Sequence, residues 1–365
     1  MNNKRMKPIS IHSFTALAVL SALVSARGAV GTLSGPFTHK DLQVFLVHGN
    51  TQLEERPYAT LSEAMAKGIV VVKETGSVQE LTIENMSRKT TVFLNAGDIV
   101  KGGRQDRTVR DDLILPPQSG PVPLATFCVE HGRWTKRGEE NPAAFSGNSK
   151  VLSSRKLKMA SRYESNQGEV WSGVAEQQTK LNENLSRYAG KPVDTRSGDS
   201  ASSLQLTLES QDLDAVKKGY LERLSSILNG KTDVIGFVFA INGELNSAEV
   251  YNNKNLFRAL WPKLLDGTIT EAITEDKPGR AAQSVSAEQV RAFFEQAVLG
   301  SVQQRPVWKT TLLRTYVTPT TLLFETVDRE MDETWLHKSF INRGNPTVVV
   351  PLDRESRPYQ QRLER

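Results

Sequence analysis

The chain has 365 residues, of which 38% are hydrophobic and 24% are charged, a composition typical of a soluble globular protein with one large domain or two ordinary ones. Its basic isoelectric point of about 9.1 owes much to Lys4, Arg5 and Lys7, which lie in a segment that we expect to be removed. Without these three residues, the excess of Lys and Arg (46) over Asp and Glu (41) falls to about +2. That charge is too small for the basic surface that binds nucleic acid.

The N-terminus has the three parts of a secretory signal peptide. The basic start is followed by a mostly apolar run from Phe14 to Val24, and then by small residues in Val24-Ser25-Ala26 at the positions that signal peptidase reads. The apolar run, about 11 residues long, is too short for a stable membrane span. We therefore predict that residues 1–26 are cleaved and that the protein is periplasmic or extracellular. An uncleaved anchor and a misassigned start codon are the alternatives, and no later segment is predicted to span a membrane.

The first third of the chain is predicted to be β-rich with one short helix. Thr60 is a good N-cap for a helix over 61–67, and Gly68 would end it. The segments 81–84 and 91–94 alternate in polarity and are joined by a polar turn, which predicts that they pair as a hairpin. The strands predicted in this part are 42–48, 69–73, 81–84, 91–94, 113–115 and 123–130.

Helices and hairpins are predicted for the rest of the chain. Asn242-Gly243 lies between β-rich runs and predicts a tight hairpin turn, and Pro262 is expected to bend or end its helix. The predicted helices are 150–163, 168–187, 213–228, 256–265 and 286–299, with a loop over 188–203. The predicted hairpins are 234–241 with 244–250 and 311–316 with 321–326, followed by a short strand over 347–350 and a charged tail from Asp353.

This order of elements predicts an α+β fold with a β-rich N-terminal half, because strands and helices do not alternate regularly. We expect one domain over residues 37–270 and a C-terminal extension over 271–365 that carries a helix and a hairpin.

The segment around Gly102 and Gly103 is a candidate anion-binding turn. A Gly pair can direct successive backbone N–H groups at one point, and arginine suits bidentate binding of phosphate or carboxylate. The arginines that follow closely are Arg104, Arg107 and Arg110. The alternative is a tight turn whose arginines pair with the aspartates at positions 98, 106, 111 and 112.

A second candidate segment runs from Cys128 to Trp134. On a strand, Cys128 and His131 point to opposite faces, which argues against a local nucleophile–base pair, and a lone cysteine is more often a small buried hydrophobe. Glu130 is the better candidate for acid–base catalysis, with an ion pair to Arg133 or Arg107 as the alternative. Trp134 could stack on a base or sugar, or belong to the core.

No metal site and no cofactor are predicted. The histidines after the signal peptide show no HxH or HExxH spacing, and the single cysteine excludes a CxxC motif and an intramolecular disulfide.

The sequences GGRQDR (Gly102–Arg107) and CVEHGRW (Cys128–Trp134) together resemble the ARPP domain, the ADP-ribosylglycohydrolase- and rhodanese-phosphatase-associated protein family. The resemblance covers about residues 42–265. The family has no established reaction, and the resemblance implies an association with ADP-ribose and NAD-linked metabolism. It also implies a shared site, which we expect to include Glu130 as the catalytic candidate and these ligand-binding residues: Gly102, Gly103, Gln105, Arg107, Cys128, Arg133 and Trp134.

Two functions follow as hypotheses. In the first, the exported domain binds or processes an ADP-ribose-like or other phosphorylated small molecule. In the second, it is a non-enzymatic module that binds another protein, of unknown identity, and its Arg–Asp cluster is structural. Convergence of Arg107, Glu130 and Arg133 at the mouth of one pocket would favour the first hypothesis. Mutual pairing of these side chains would favour the second.

Overall fold

The computed structural model describes residues 31–279 and 283–344. The predicted signal peptide, the strand predicted at 347–350 and the tail from Asp353 lie outside these residues. The fold is α+β and rich in strands, as the sequence predicts. No helix in the described ranges is long and apolar enough to cross a membrane.

The bounds of the elements are as follows. The strands are β1 (Leu33–His39), β2 (Leu42–His48), β3 (Tyr58–Thr60), β4 (Val70–Glu74), β5 (Glu80–Asn85), β6 (Thr91–Leu94), β7 (Asp98–Gly102), β8 (Arg107–Val109), β9 (Leu113–Leu115), β10 (Gly120–Cys128), β11 (Phe145–Val151), β12 (Val234–Ile241), β13 (Glu244–Tyr251), β14 (Ser301–Trp308), β15 (Thr311–Val317), β16 (Thr321–Asp328) and β17 (Thr334–Asn342). The α-helices are α1 (Leu61–Ala66), α2 (Arg155–Lys158), α3 (Gln167–Ala189), α4 (Leu204–Leu208), α5 (Gln211–Leu224), α6 (Lys254–Glu275) and α7 (Ala287–Ala297). A π-helical turn (Met159–Tyr163) follows α2, and a 3-10 turn (Ser225–Leu228) follows α5.

The largest layer is an antiparallel sheet of eight strands in the order β1-β2-β12-β13-β17-β16-β15-β14. Every residue of β12 and β16 is buried, because both faces of the sheet's centre are covered. One face packs in a core shared with α3, α5 and α6. The other packs on Phe293 and Phe294 of α7.

A smaller β-rich unit carries the two sequence motifs. It contains a six-stranded sheet in the order β11-β7-β8-β10-β5-β4 and a three-stranded sheet in the order β3-β6-β9. Its core consists mostly of aliphatic side chains, including those of Leu61 and Ala64 on α1. Thr60 and Glu63 form a reciprocal capping box at the start of α1, which confirms the predicted N-cap. The first motif spans the turn between β7 and β8, and the second begins at the end of β10.

Three local predictions are wrong. The strands β5 and β6 do not pair with each other: β5 pairs with β4 and β10, while β6 pairs with β3 and β9. The helix predicted to end at Leu265 continues past Pro262 to Glu275 as α6, because its second half is buried in the main core. The helix predicted at 150–163 begins later, since β11 runs to Val151 and pairs with β7.

The C-terminal strands belong to the same sheet as the N-terminal ones. β17 pairs with β13, and β14–β16 extend the sheet from there. The predicted division at residue 270 falls inside α6, and strands from both sides of it form one continuous layer.

Candidate functional site

The first motif is a tight turn that requires its two glycines. Gly102 and Gly103 have φ values of 118° and 58°, in the left-handed region that favours glycine. A Cβ on Gly103 would lie 2.6 Å from the Phe145 ring and 3.0 Å from a carboxylate oxygen of Glu74. The N–H of Gly102 donates to Asp106 Oδ1 at 3.0 Å. The turn is therefore closed by a hydrogen bond to Asp106, the aspartate of the same motif.

Asp106 is the centre of a buried charge network. It is 0% exposed and accepts two hydrogen bonds from Arg137, at 2.8 and 3.0 Å. Ser203, the N-cap of α4, adds a third side-chain bond at 2.7 Å. A buried carboxylate is stabilised only when its oxygens are paired and hydrogen-bonded, and these donors meet that condition. Neither Arg137 nor Ser203 was predicted from the sequence.

Glu130 joins the two motifs and is also fully buried. Its Oε2 accepts the backbone N–H of Asp106 at 2.9 Å, and Arg133 binds both of its oxygens, at 2.6 and 2.7 Å. Gln105 donates to its backbone carbonyl at 3.0 Å. Glu130 and Arg133 therefore show the mutual pairing expected of a structural role, and the catalytic role of Glu130 stays a prediction.

Arg107 is enclosed, while Trp134 lies at the surface above it. Arg107 is 0% exposed and donates from Nη1 to the carbonyl of Gln105 at 3.0 Å. Its Nη2 lies 3.7 Å from the Glu74 carboxylate, and within the described residues its Nε and Nη2 have no hydrogen-bond partner. Trp134 is 40% exposed, with its ring centre 5.6 Å from the Arg107 guanidinium and 5.7 Å from that of Arg104. Trp134 is thus not a core residue.

Cys128 is buried beside this network. Burial raises the pKa of its thiol to about 11, and Sγ lies 3.1 Å from Gln105 Oε1. A thiol with this pKa is protonated at neutral pH, so it is a poor nucleophile. The main chain of Cys128 has a structural task, because its N–H and its carbonyl both bond to the side chain of Gln167 at the start of α3.

A second buried charge cluster lies between the large sheet and the smaller unit. His337 on β17 is within hydrogen-bond distance of Asp112 through Nδ1, at 2.8 Å, and of Glu249 through Nε2, at 3.0 Å. Arg162 and Thr326 donate to the same oxygen of Asp112, at 3.1 and 2.5 Å. Burial alone would lower the pKa of His337, but the two carboxylates outweigh it and raise the pKa above its ordinary value. The cluster therefore places the His337 imidazole between two carboxylates, which favour its protonated form.

One side of this cluster opens on a small cavity, called here the central cavity. Its volume is about 20 Å³, room for one or two water molecules. It is bounded by the large sheet, α6, the π-helical turn and, from the smaller unit, the loop between β6 and β7 and the end of β11. Its charged lining residues are Arg110, Lys158, Arg162, Glu249 and Glu271.

The central cavity also contains incompletely bonded groups. Within the described residues, Arg162 Nε and Glu271 Oε2 are buried without a hydrogen-bond partner. Such groups are uncommon in folded proteins because each loses its bonds to water. Arg162 lies in the π-helical turn, an element that often occurs at functional sites.

Sequence reasoning did not find this second cluster. Asp112 was named only as a possible partner of the arginines, and His337 lies 225 residues further along the chain. Only the order of strands in the large sheet brings β17 and β13 beside the loop that carries Asp112. In residues 31–279 and 283–344, no group of three or more His, Cys, Asp or Glu side chains is arranged to hold a metal ion.

The fold and the paired motifs thus define an α+β domain built around two buried charge clusters. The chain belongs to the ARG and Rhodanese-Phosphatase-superfamily-associated Protein domain family, ARPP-1, whose model matches residues 32–341. The match includes β14 to β16 and nearly all of β17, and so extends well beyond the resemblance recognised in the sequence. Comparisons with curated proteins and with solved structures gave no match.

Proposed function

We propose that this ARPP-1 domain binds a small anionic molecule of the phosphorylated class, such as ADP-ribose, with one phosphate oxygen entering the central cavity. One observation carries the proposal: Arg162, only 8% exposed, lines the cavity with an Nε that has no partner in the described part of the chain. A phosphate oxygen is a good acceptor for a guanidinium N–H.

The charges around Arg162 support an anion. Lys158 and Arg110 also line the cavity, against the carboxylates of Glu249 and Glu271. The Lys158 ammonium lies 3.5 Å from Glu249, which His337 also contacts.

The carboxylate of Glu249 bears on whether the ligand is only bound or also processed. Burial, the largest influence, raises its pKa, but contacts with His337 and Lys158 outweigh burial and lower it overall. A lowered pKa makes a carboxylate a weaker base, so this arrangement favours binding over proton transfer.

Thermal shift measurements with pyrophosphate and ADP-ribose test the proposal, because a ligand that binds only the folded state raises the melting temperature. We expect the shift to be lost in Lys158→Met and in Arg110→Gln. Both side chains are partly exposed, at 18% and 31%, so the fold should tolerate the changes. Lys156→Met is the matched control, since Lys156 lies in the same helix and does not line the central cavity. If neither compound raises the melting temperature at saturating concentration, the proposal is ruled out.

The proposal includes export of the protein. It rests on the basic start, the apolar run and the small residues that end at Ala26. Mass spectrometry of the protein recovered from the periplasm or medium should find Arg27 at the N-terminus. An intact Met1 in that protein would contradict cleavage.

A second candidate function is a non-enzymatic module that binds another protein. The observation that favours it is the saturation of the motif network: both oxygens of Glu130 and both oxygens of Asp106 already accept hydrogen bonds. Turnover of ADP-ribose that disappears in Glu130→Gln, with the fold retained, would contradict this candidate.

A further inference from the structure

A separate surface hollow lies beside the second motif. It has a volume of about 380 Å³, within the range of small-molecule sites. One wall is the loop after β10, with His131, and the other is the first half of α3, with Trp171 and Ala175. None of the residues that line it lines the central cavity.

The chemistry of the hollow is aromatic and uncharged. The rings of His131 and Trp171 meet edge to face, with centroids 4.6 Å apart and planes at 82°. Val174 and Ala175 add apolar surface, and Ser172 contributes a hydroxyl. Among the described residues, no Asp, Glu, Lys or Arg lines the hollow. An anionic group would find no counter-charge there, whereas a neutral flat ring would find aromatic and apolar surface.

The walls of the hollow are held in fixed positions. Ser202 Oγ accepts the N–H of His131 at 3.1 Å and donates to the carbonyl of His131 at 2.6 Å. The side chain of Gln167 binds both main-chain groups of Cys128, at 2.9 Å each, so the start of α3 is fixed to the end of β10. Trp171 lies one helical turn after Gln167. A site with fixed walls loses little conformational freedom when a ligand binds.

We propose that this hollow binds a neutral, planar nitrogen heterocycle of the kind found in nucleobases, with the ring against His131 and Trp171. Ring nitrogens suit this place better than a hydrocarbon ring does, because the hydroxyl of Ser172 can donate to or accept from them and Ser202 Oγ can accept one further N–H. The inference does not depend on the anion site, since the two places share no residue.

Adenosine is the probe, and ribose, which lacks the ring, is the control ligand. Binding to the full chain is measured by ligand-observed NMR and by calorimetry. Ala175→Arg places a long charged side chain at an exposed helical position that lines the hollow. His131→Ala removes an exposed ring. Glu183→Arg is the matched control, because Glu183 is exposed on the same helix and does not line the hollow.

The expected result is that adenosine binds and ribose does not, with at least a tenfold loss of affinity in both Ala175→Arg and His131→Ala and no change in Glu183→Arg. Pyrophosphate should still raise the melting temperature of Ala175→Arg. This result distinguishes the hollow from the proposed anion site. The inference is overturned if adenosine does not bind the unaltered protein, or if either hollow variant binds it as tightly as the unaltered protein does.

Discussion

Arg133 binds both carboxylate oxygens of Glu130, through Nε at 2.6 Å and Nη2 at 2.7 Å. The same carboxylate accepts the N–H of Asp106 from the other motif. One buried glutamate thus connects two segments that lie more than 20 residues apart in sequence. The density of charged and turn residues in these motifs is explained by this connection, without a ligand.

Glu130→Gln should therefore destabilise the fold. The amide cannot accept from Arg133 and Asp106 as the carboxylate does, and Arg133 keeps a buried charge whose remaining counter-ion, Asp106, lies 4.0 Å away. Breaking a buried pair on one side costs about 3–5 kcal/mol, and we expect a loss near the lower value because Arg133 retains its bonds to the carbonyls of Gly103 and Thr135. Urea unfolding measures the loss. The exposed Glu139→Gln is the control, and equal stability of the two variants would contradict the structural role.

The Gly103→Ala substitution tests the packing of the turn. A methyl group there would meet the Phe145 ring at 2.6 Å in addition to the strain of a positive φ. Gly132→Ala is the matched control, because Gly132 also has a positive φ, of 86°, with nothing within 4 Å of the added carbon. Strain alone costs on the order of 1 kcal/mol, and overpacking adds about 1–3 kcal/mol. Thermal unfolding should show a larger loss of stability for Gly103→Ala than for Gly132→Ala. Similar losses would mean that the Phe145 ring moves aside without destabilising the fold.

Local features of the fold could be predicted from the sequence, and non-local ones could not. The hairpin at Asn242-Gly243 and the N-cap at Thr60 depend on residues a few positions apart, and the structure has both. The pairing of β6 with β3 and β9 places it in a different sheet from β5. The sequence of a four-residue strand does not indicate which sheet the strand will join. The position of Pro262 inside α6 reflects burial of the later turns, which outweighs the local preference.

The same distinction holds for the sites. The two motifs were found because their residues are dense in sequence, and the structure brings them together. The Asp112–His337 contact joins residues 225 positions apart, so only the fold reveals it. The sequence also could not show that Glu130 and Arg133 pair with each other, because pairing and ligand binding use the same residue types.

Cys128 should be unreactive in the folded protein. Burial raises the pKa of its thiol to about 11, so only a very small fraction is thiolate at pH 8, and the reactive form is the thiolate. We expect iodoacetamide to leave Cys128 unmodified at pH 8 under native conditions and to modify it fully in urea, as measured by intact mass. Rapid native alkylation would contradict the enclosed position of Sγ against Gln105.

The stability of the protein should depend on pH through Asp41. Burial raises the pKa of this carboxyl to about 6, and the nearby charge of Asp276 adds to the effect, while its Oδ2 is buried with no hydrogen-bond partner in the described ranges. A group whose pKa is raised by folding favours the folded state while protonated, so this stability is fully present below about pH 4 and is lost as the pH rises through about 6.

Other carboxyls, such as Asp112, have lowered pKa values and act in the opposite direction. The comparison must therefore be between Asp41→Asn and the unaltered protein at each pH. We expect the variant to gain stability relative to the unaltered protein between pH 4 and 7, as measured by urea unfolding. A constant difference across that range would show that Asp41 does not titrate there.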